Sequence, residues 1–137
     1  MTFSPASGTW KVIRTPSKAS TTYTVGSLIA NDSTNDVMAT AQTQQYIRGI
    51  LLEAKSSASA GTAPLSILAP VGVGCTMLGD MYTGETLAAA NVGACFDIKS
   101  TGYEVSTATT YKPLQLTKYI STTKGEFAFN YTTGIEN

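Results

Sequence analysis

Leu68–Gly84 reads LAPVGVGCTMLGDMYTG. It holds four glycines, one of the chain's two cysteines, and a lone aspartate among methionines. Three readings compete: a phosphate cradle, a metal corner, and the crowded bend of a small β-barrel. A dinucleotide cradle needs a third glycine after Gly72-Val73-Gly74, but Met77 stands there and no long helix opens. A P-loop needs Gly-Lys-Ser/Thr, which occurs nowhere in the chain. A metal corner needs close ligand pairs, and neither Cys75 nor Cys95 belongs to a CxxC motif. The bend remains. Pro64–Val71 and Cys75–Tyr82 are two short apolar runs, and glycine between them can turn the chain because it reaches φ > 0 without strain. The expectation is strand–turn–strand, with Met77, Leu78 and Met81 filling space and Asp80 a solvated turn residue.

Working outward, the same texture repeats. Trp10–Arg14 reads as a first strand, and Thr21–Ile29 as a β-branched and aromatic strand bent at Gly26. Asn31–Asp36 is turn-forming by its Asn, Asp and Ser content. In Tyr46–Ala54, Ile47, Ile50, Leu51 and Ala54 stand at helical spacing. Gly49 costs a helix about 1 kcal/mol there and no capping box precedes it, so a strand is favoured. Ser56–Ala63 is a small-residue loop. Thr86 is a candidate cap for one helical turn over LAAANV. Ala94–Lys99, Tyr103–Ser106, Leu114–Ile120 and Glu126–Tyr131 complete the series. Strands and turns at about ten-residue spacing predict an all-β (mainly β) fold: a compact small barrel or sandwich with one short helical turn. Residues 1–9 read as an extended polar arm, and residues 10–137 as a single β domain.

Composition narrows the function. Nine basic and nine acidic residues cancel, leaving no electrostatic footprint for nucleic acid or an anionic membrane. The charged fraction, 13%, is about half the usual share. Ser and Thr replace the missing charges, a surface suited to pairing with other proteins and equally to an ordinary β domain. No basic run and apolar core mark the N-terminus as a secretory signal, and no apolar stretch reaches the length of a spanning helix. Cys75 and Cys95 are therefore expected as reduced thiols.

The chain has no histidine, which removes Ser–His and Cys–His nucleophiles and the commonest metal ligand. Ser121-Thr122-Thr123-Lys124 matches the S-x-x-K of serine acyl-transfer enzymes, but it lies in a turn and lacks its partner motifs. Glu85, Asp97 and Glu104 are candidates for an acid–base pair. Nothing in the sequence sets two of them face to face, and the plainer expectation is solvated surface charge. The seven tyrosines suit half-buried packing better than a stacking platform. No catalytic, metal or cofactor residues are expected.

Two stretches carry a resemblance. Tyr46–Leu68, YIRGILLEAKSSASAGTAPLSIL, resembles the strand, small-residue hairpin and apolar strand of small tailed-phage head proteins. Thr86–Gly102, TLAAANVGACFDIKSTG, resembles their alanine-rich turn, Val-Gly step and aromatic-Asp-apolar strand, with Val92, Gly93, Phe96, Asp97 and Ile98 at the matching positions. Pro113–Ile120, PLQLTKYI, is similar to their closing strand. The family is the bacteriophage capsid decoration, or cement, proteins. The resemblance implies a small β-rich structural protein of the virion, made in the host cytoplasm, that binds the outer surface of the shell. It implies the major capsid protein as partner and a homo-oligomer, a trimer first and a dimer next. No catalytic residue carries over.

The candidate contact residues lie in the arm and in a loop. Phe3, Pro5 and Trp10 are the large or rigid candidates for docking on a capsid, and Ser59 and Gly61 mark the tip of the small-residue loop. Two other readings stay open: a tail, fibre or adaptor subunit, and a small carbohydrate-binding module.

Overall fold

Every second side chain is buried along Thr76–Asp80 and Lys124–Phe129, the period-two signature of a sheet with one face on a core and one in water. The computed structural model describes residues 2–18, 21–31, 36–40, 47–56, 64–71 and 74–130. Within them the strands are β1 (Ser4–Ser7), β2 (Trp10–Pro16), β3 (Thr22–Tyr23), β4 (Leu28–Asn31), β5 (Asp36–Met38), β6 (Ile47–Leu51), β7 (Lys55–Ser56), β8 (Pro64–Pro70), β9 (Thr76–Asp80), β10 (Cys95–Ile98), β11 (Val105–Ser106), β12 (Leu114–Ser121) and β13 (Lys124–Phe129). The fold is all-β, with a single 3-10 turn at Ala89–Asn91 among the described residues.

The strands form two main antiparallel sheets. One has the order β1-β9-β13-β12-β10-β11, the other β2-β8-β6-β4-β5, and β3 pairs with β7 alone. The five-stranded sheet bends into a half-barrel. Ser17, just past β2, bridges Asp36 at the start of β5, so the two outer strands touch at one point. A Met81–Val105 bridge curls the larger sheet in the same way. Tyr23, Ile29, Leu51, Leu65 and Ile67 form one buried cluster on the five-stranded sheet, with Ile13 and Met38 against it. The opposite face supplies Leu28, Ala30, Ile47 and Ile50 to the main core, which they share with Met77, Phe96, Ile98, Leu114, Leu116, Phe127 and Phe129.

The helical spacing of Ile47, Ile50 and Leu51 has a β explanation. Ile29 faces Gly49 and Ala30 faces Ile47, so β6 carries one extra residue there. That bulge restarts the alternation, placing Ile47 and Ile50 in the main core and Leu51 in the other cluster. Gly49 is required at the bulge. Its φ is +154°, and a Cβ would fall on the Leu68 carbonyl oxygen of the neighbouring strand.

The structure redraws Leu68–Gly84. β8 lies in the half-barrel and β9 in the larger sheet, so this stretch is the passage between sheets and not a hairpin within one. Asp80 ends β9 opposite Lys124 instead of sitting in a turn. Cys75 at the corner is fully buried, and its thiol donates to the Thr9 carbonyl at 3.1 Å. Thr21–Ile29 likewise splits at Gly26 into β3 and β4. The short turn is capped by Asn91, whose Oδ1 accepts the Ala88 N–H at 2.7 Å, and not by Thr86.

The N-terminal residues are not a loose arm. β1 pairs with β9 through Ser4–Leu78, Pro5–Met77 and Ser7–Thr76. The Phe3 N–H donates to the Gly26 carbonyl at 2.9 Å. The Phe3 side chain is only 2% exposed, inside the main core. Burial of Phe3 and the backbone pairing of β1 with β9 together work against the ordering cost of the polar residues around them.

Candidate functional site

Two regions gather polar or apolar groups in ways that bear on function. The first is the end of β10 and β11, where all three carboxylates singled out in the sequence lie. Asp97 sits in β10 at 3% exposure. Its Oδ1 accepts the backbone N–H groups of Tyr111 at 2.8 Å and Lys112 at 2.7 Å, and its Oδ2 accepts that of Thr110 at 3.3 Å. Lys112 is the one described non-glycine residue at positive φ, 59°. Three successive N–H groups thus converge as an anion-binding concavity, which the protein fills with its own carboxylate. The expectation that Asp97 is a solvated charge is overturned, because the loop folds back over it.

Glu104 is equally buried, and Thr101 donates its hydroxyl to it at 3.1 Å. Glu85 is more open. Its Oε1 accepts from the Thr107 N–H at 2.6 Å, the Thr107 hydroxyl at 2.7 Å and the Ser106 hydroxyl at 3.2 Å. Its Oε2 meets the Lys99 ammonium at 3.3 Å, and that ammonium lies 4.0 Å from the centre of the Tyr82 ring. Burial by itself pushes the Glu85 carboxyl up. The hydrogen bonds from Thr107, Lys99 and Ser106 outweigh it and hold the group below its ordinary value. Each of these carboxylates is committed to the hydroxyl or backbone N–H groups of its own loop. Among the described residues, no three His, Cys, Asp or Glu side chains gather where they could hold a metal ion. Ser121 and Lys124 face each other across the β12–β13 hairpin, a strand geometry in place of the helix that the S-x-x-K chemistry uses. Cys75 and Cys95 are free thiols.

The second region surrounds the first two strands. Phe3, expected as an anchor for a partner, is instead spent inside the molecule. Trp10 is half-buried: its ring meets Phe129 edge-on at 6.1 Å, and its Nε1 donates to the Ser7 carbonyl at 3.0 Å. Pro5 is exposed and lines an open cleft of about 250 Å³ with Val25, Leu52 and Leu68. Ser59 and Gly61 lie outside the described residues. Around the cleft, Val25 is 46% and Leu52 41% exposed. Val12, directly across from Leu68, is 60% exposed. Val25 and Leu52 share the cleft with Leu68, and Val12 stands beside Leu68 on the adjacent strand.

Sequence reasoning passed over Val12 and its flanking cations, Lys11 and Arg14. The signal was present: Lys-Val-Ile-Arg places one exposed apolar residue between two charges in a strand bounded by Pro16, the pattern of a sheet edge guarded against pairing with copies of itself.

No protein-family model, curated protein or solved structure matches the chain. What stands without them is a class: a mainly β protein of two antiparallel sheets, one of them a half-barrel.

Proposed function

We propose that this protein is a structural component of a phage virion that binds the outer surface of the capsid and stabilises it, without catalytic activity. The observation that carries this reading is the contrast between spent and unspent side chains. The candidate acid–base groups are consumed in holding loops, while Val25 and Leu52 remain exposed around an open cleft and Val12 is exposed on the strand next to it. Apolar side chains left exposed beside a cleft are the kind of surface that meets another macromolecule. The segment resemblance of Tyr46–Leu68 and Thr86–Gly102 to capsid decoration proteins supplies the kind of partner: the major capsid protein, with self-association into a trimer on the shell. The all-β fold is in keeping with that family.

The test is reconstitution. Purified protein is added to undecorated heads, sedimented and counted per shell, and the heads are then heated. Saturable binding with a raised disruption temperature is the expected result. If heads bind none while tails or fibres retain the protein, the capsid reading is overturned in favour of another virion subunit.

A further inference from the structure

The outermost strand of the half-barrel, β2, has a backbone that can be read group by group. All seven residues pair with β8, from Trp10–Pro70 to Pro16–Pro64, with no bulge. The Val71 N–H donates to the Thr9 carbonyl at 2.8 Å, which fixes the phase of the ladder. In an antiparallel pair, residues alternate between exchanging both backbone bonds with the partner and turning both outward. Thr9 is bonded inward, so Lys11, Ile13 and Thr15 are bonded inward too. Trp10, Val12 and Arg14 then direct their N–H and C=O groups away from β8. The prolines agree with this phase. Pro16, Pro64 and Pro70, which have no N–H, all fall at positions that ask no bond of the β2–β8 ladder. Among the described residues, no backbone bond accepts or supplies the outward groups of Trp10, Val12 and Arg14. The half-barrel's other outer strand reaches only Ser17, beyond the end of β2.

The side chains on this edge are also unspent. Lys11 and Arg14 are exposed, and neither has an ion pair among the described residues. Val12 stands between them at 60% exposure. A second copy of the chain is a poor occupant. Every antiparallel register centred between Lys11 and Arg14 sets two cations directly opposite or on the diagonal, where like charges repel.

We propose that the outer edge of β2, Trp10–Arg14, is a strand-addition site that accepts an extended acidic segment of a partner protein. An incoming antiparallel strand makes its backbone bonds to Trp10, Val12 and Arg14. Its side chains opposite Arg14, Ile13, Val12 and Lys11 read, in its own direction, acidic, any residue, apolar, acidic. Main-chain bonds supply the affinity and the two carboxylates supply register and choice of partner. This goes beyond the capsid reading, because it names the chemistry of the contact for any partner that carries such a segment.

The experiment uses the full chain, labelled for amide NMR, and a synthetic peptide with the acidic–any–apolar–acidic pattern; a peptide with lysines in place of the acids is the control. Binding is expected to slow the hydrogen exchange of the Trp10, Val12 and Arg14 amides and to leave the Asp97 loop unchanged. The double change Lys11→Glu and Arg14→Glu should weaken the acidic peptide about tenfold, since two attractive cross-strand pairs become repulsive, and should admit the lysine peptide. Val12→Pro removes one outward N–H without touching the β8 ladder, so it should abolish binding in a folded protein. Equal binding of both peptides, unchanged affinity in the charge-reversed variant, or no change in the edge amides overturns the proposal. Dimerisation through β2 without any peptide binding overturns it in favour of a second copy.

Discussion

Asp97 and Arg14 are both charged residues of β-strands, and the protein treats them in opposite ways. Asp97 lies at 3% exposure with three backbone N–H groups on its carboxylate. Arg14 is exposed, on an outer strand, with no ion pair among the described residues. A buried charge persists only when its hydrogen-bonding capacity is filled, so the β10–β11 end is a structural device. An exposed cation is cheap to keep in water, and on a strand whose outward backbone groups have no partner among the described residues it can meet a group of opposite charge. The difference teaches where to look for function in a chain without a catalytic signature: at the groups the fold leaves unused.

The comparison breaks most sharply if the N-terminal segment belongs on the open side after all. Phe3 packs into the main core, with its ring against Gly79, where an added Cβ would come within 2.8 Å of it. Phe3→Ala should therefore cost about 3–5 kcal/mol of stability, read as a lower midpoint in urea denaturation. A change under about 1 kcal/mol, the size of a surface effect, would return residues 1–9 to the status of a detachable arm.

Next in size is Asp97. Asp97→Ala leaves three N–H groups of the Thr110–Lys112 loop without their acceptor, at a cost of about 2–3 kcal/mol. Asp97→Asn keeps one acceptor oxygen and should lose less. Hydrogen exchange at Tyr111 and Lys112 should accelerate in both variants, more in the alanine one. Unchanged exchange would mean that the loop holds its shape by other means and that Asp97 is not its organiser.

What the sequence made legible follows from range. β8, β10, β12 and β13 were readable because alternation and β-branched residues act locally, whereas β6 was favoured only because Gly49 and the lack of a capping box argued against a helix. β1 was not, because Ser-Pro-Ala-Ser has no strand signature; it is a strand because Phe3 enters the core and β9 offers an edge. Asp97 was misread for a similar reason. Its burial depends on a loop thirteen to fifteen residues away along the chain, and no local pattern announces that return. The crossing at Leu68–Gly84 shows the same limit: two strands and a glycine turn were visible, but not that they serve different sheets. The bulge at Gly49 was visible only as a helical spacing that its glycine contradicted.

Glu85 offers a finer test, since it is only partly enclosed. Its hydrogen bonds hold the folded carboxyl below the ordinary glutamate value, so the unfolded chain binds more protons than the folded one across that window. Stability from this group is fully present above the unfolded value, about 4.3, and is lost as pH falls through the lower folded value. The difference in midpoint between the protein and Glu85→Gln should be constant near neutrality and shrink in acid. A difference that grows on acidification would mean the opposite shift, with burial outweighing Thr107, Ser106 and Lys99.

The smallest expected effect is the most telling for the open side. Among the described residues Lys11 and Arg14 have no ion pair to lose, and their side chains are exposed at the half-barrel's edge. Replacing both with alanine should therefore move stability by no more than about 0.5 kcal/mol, the usual scatter of surface substitutions. The backbone ladder from Trp10 to Pro16 does not depend on these side chains. Removing two positive charges from a neutral chain also changes its net repulsion little. A loss of about 2 kcal/mol would show that the cations are already engaged within the folded chain, and β2 would then join the Asp97 corner as structure. Stability that stays level while partner binding falls would separate the two regions by measurement: one set of charges holds the fold, and the other is held ready for a second molecule.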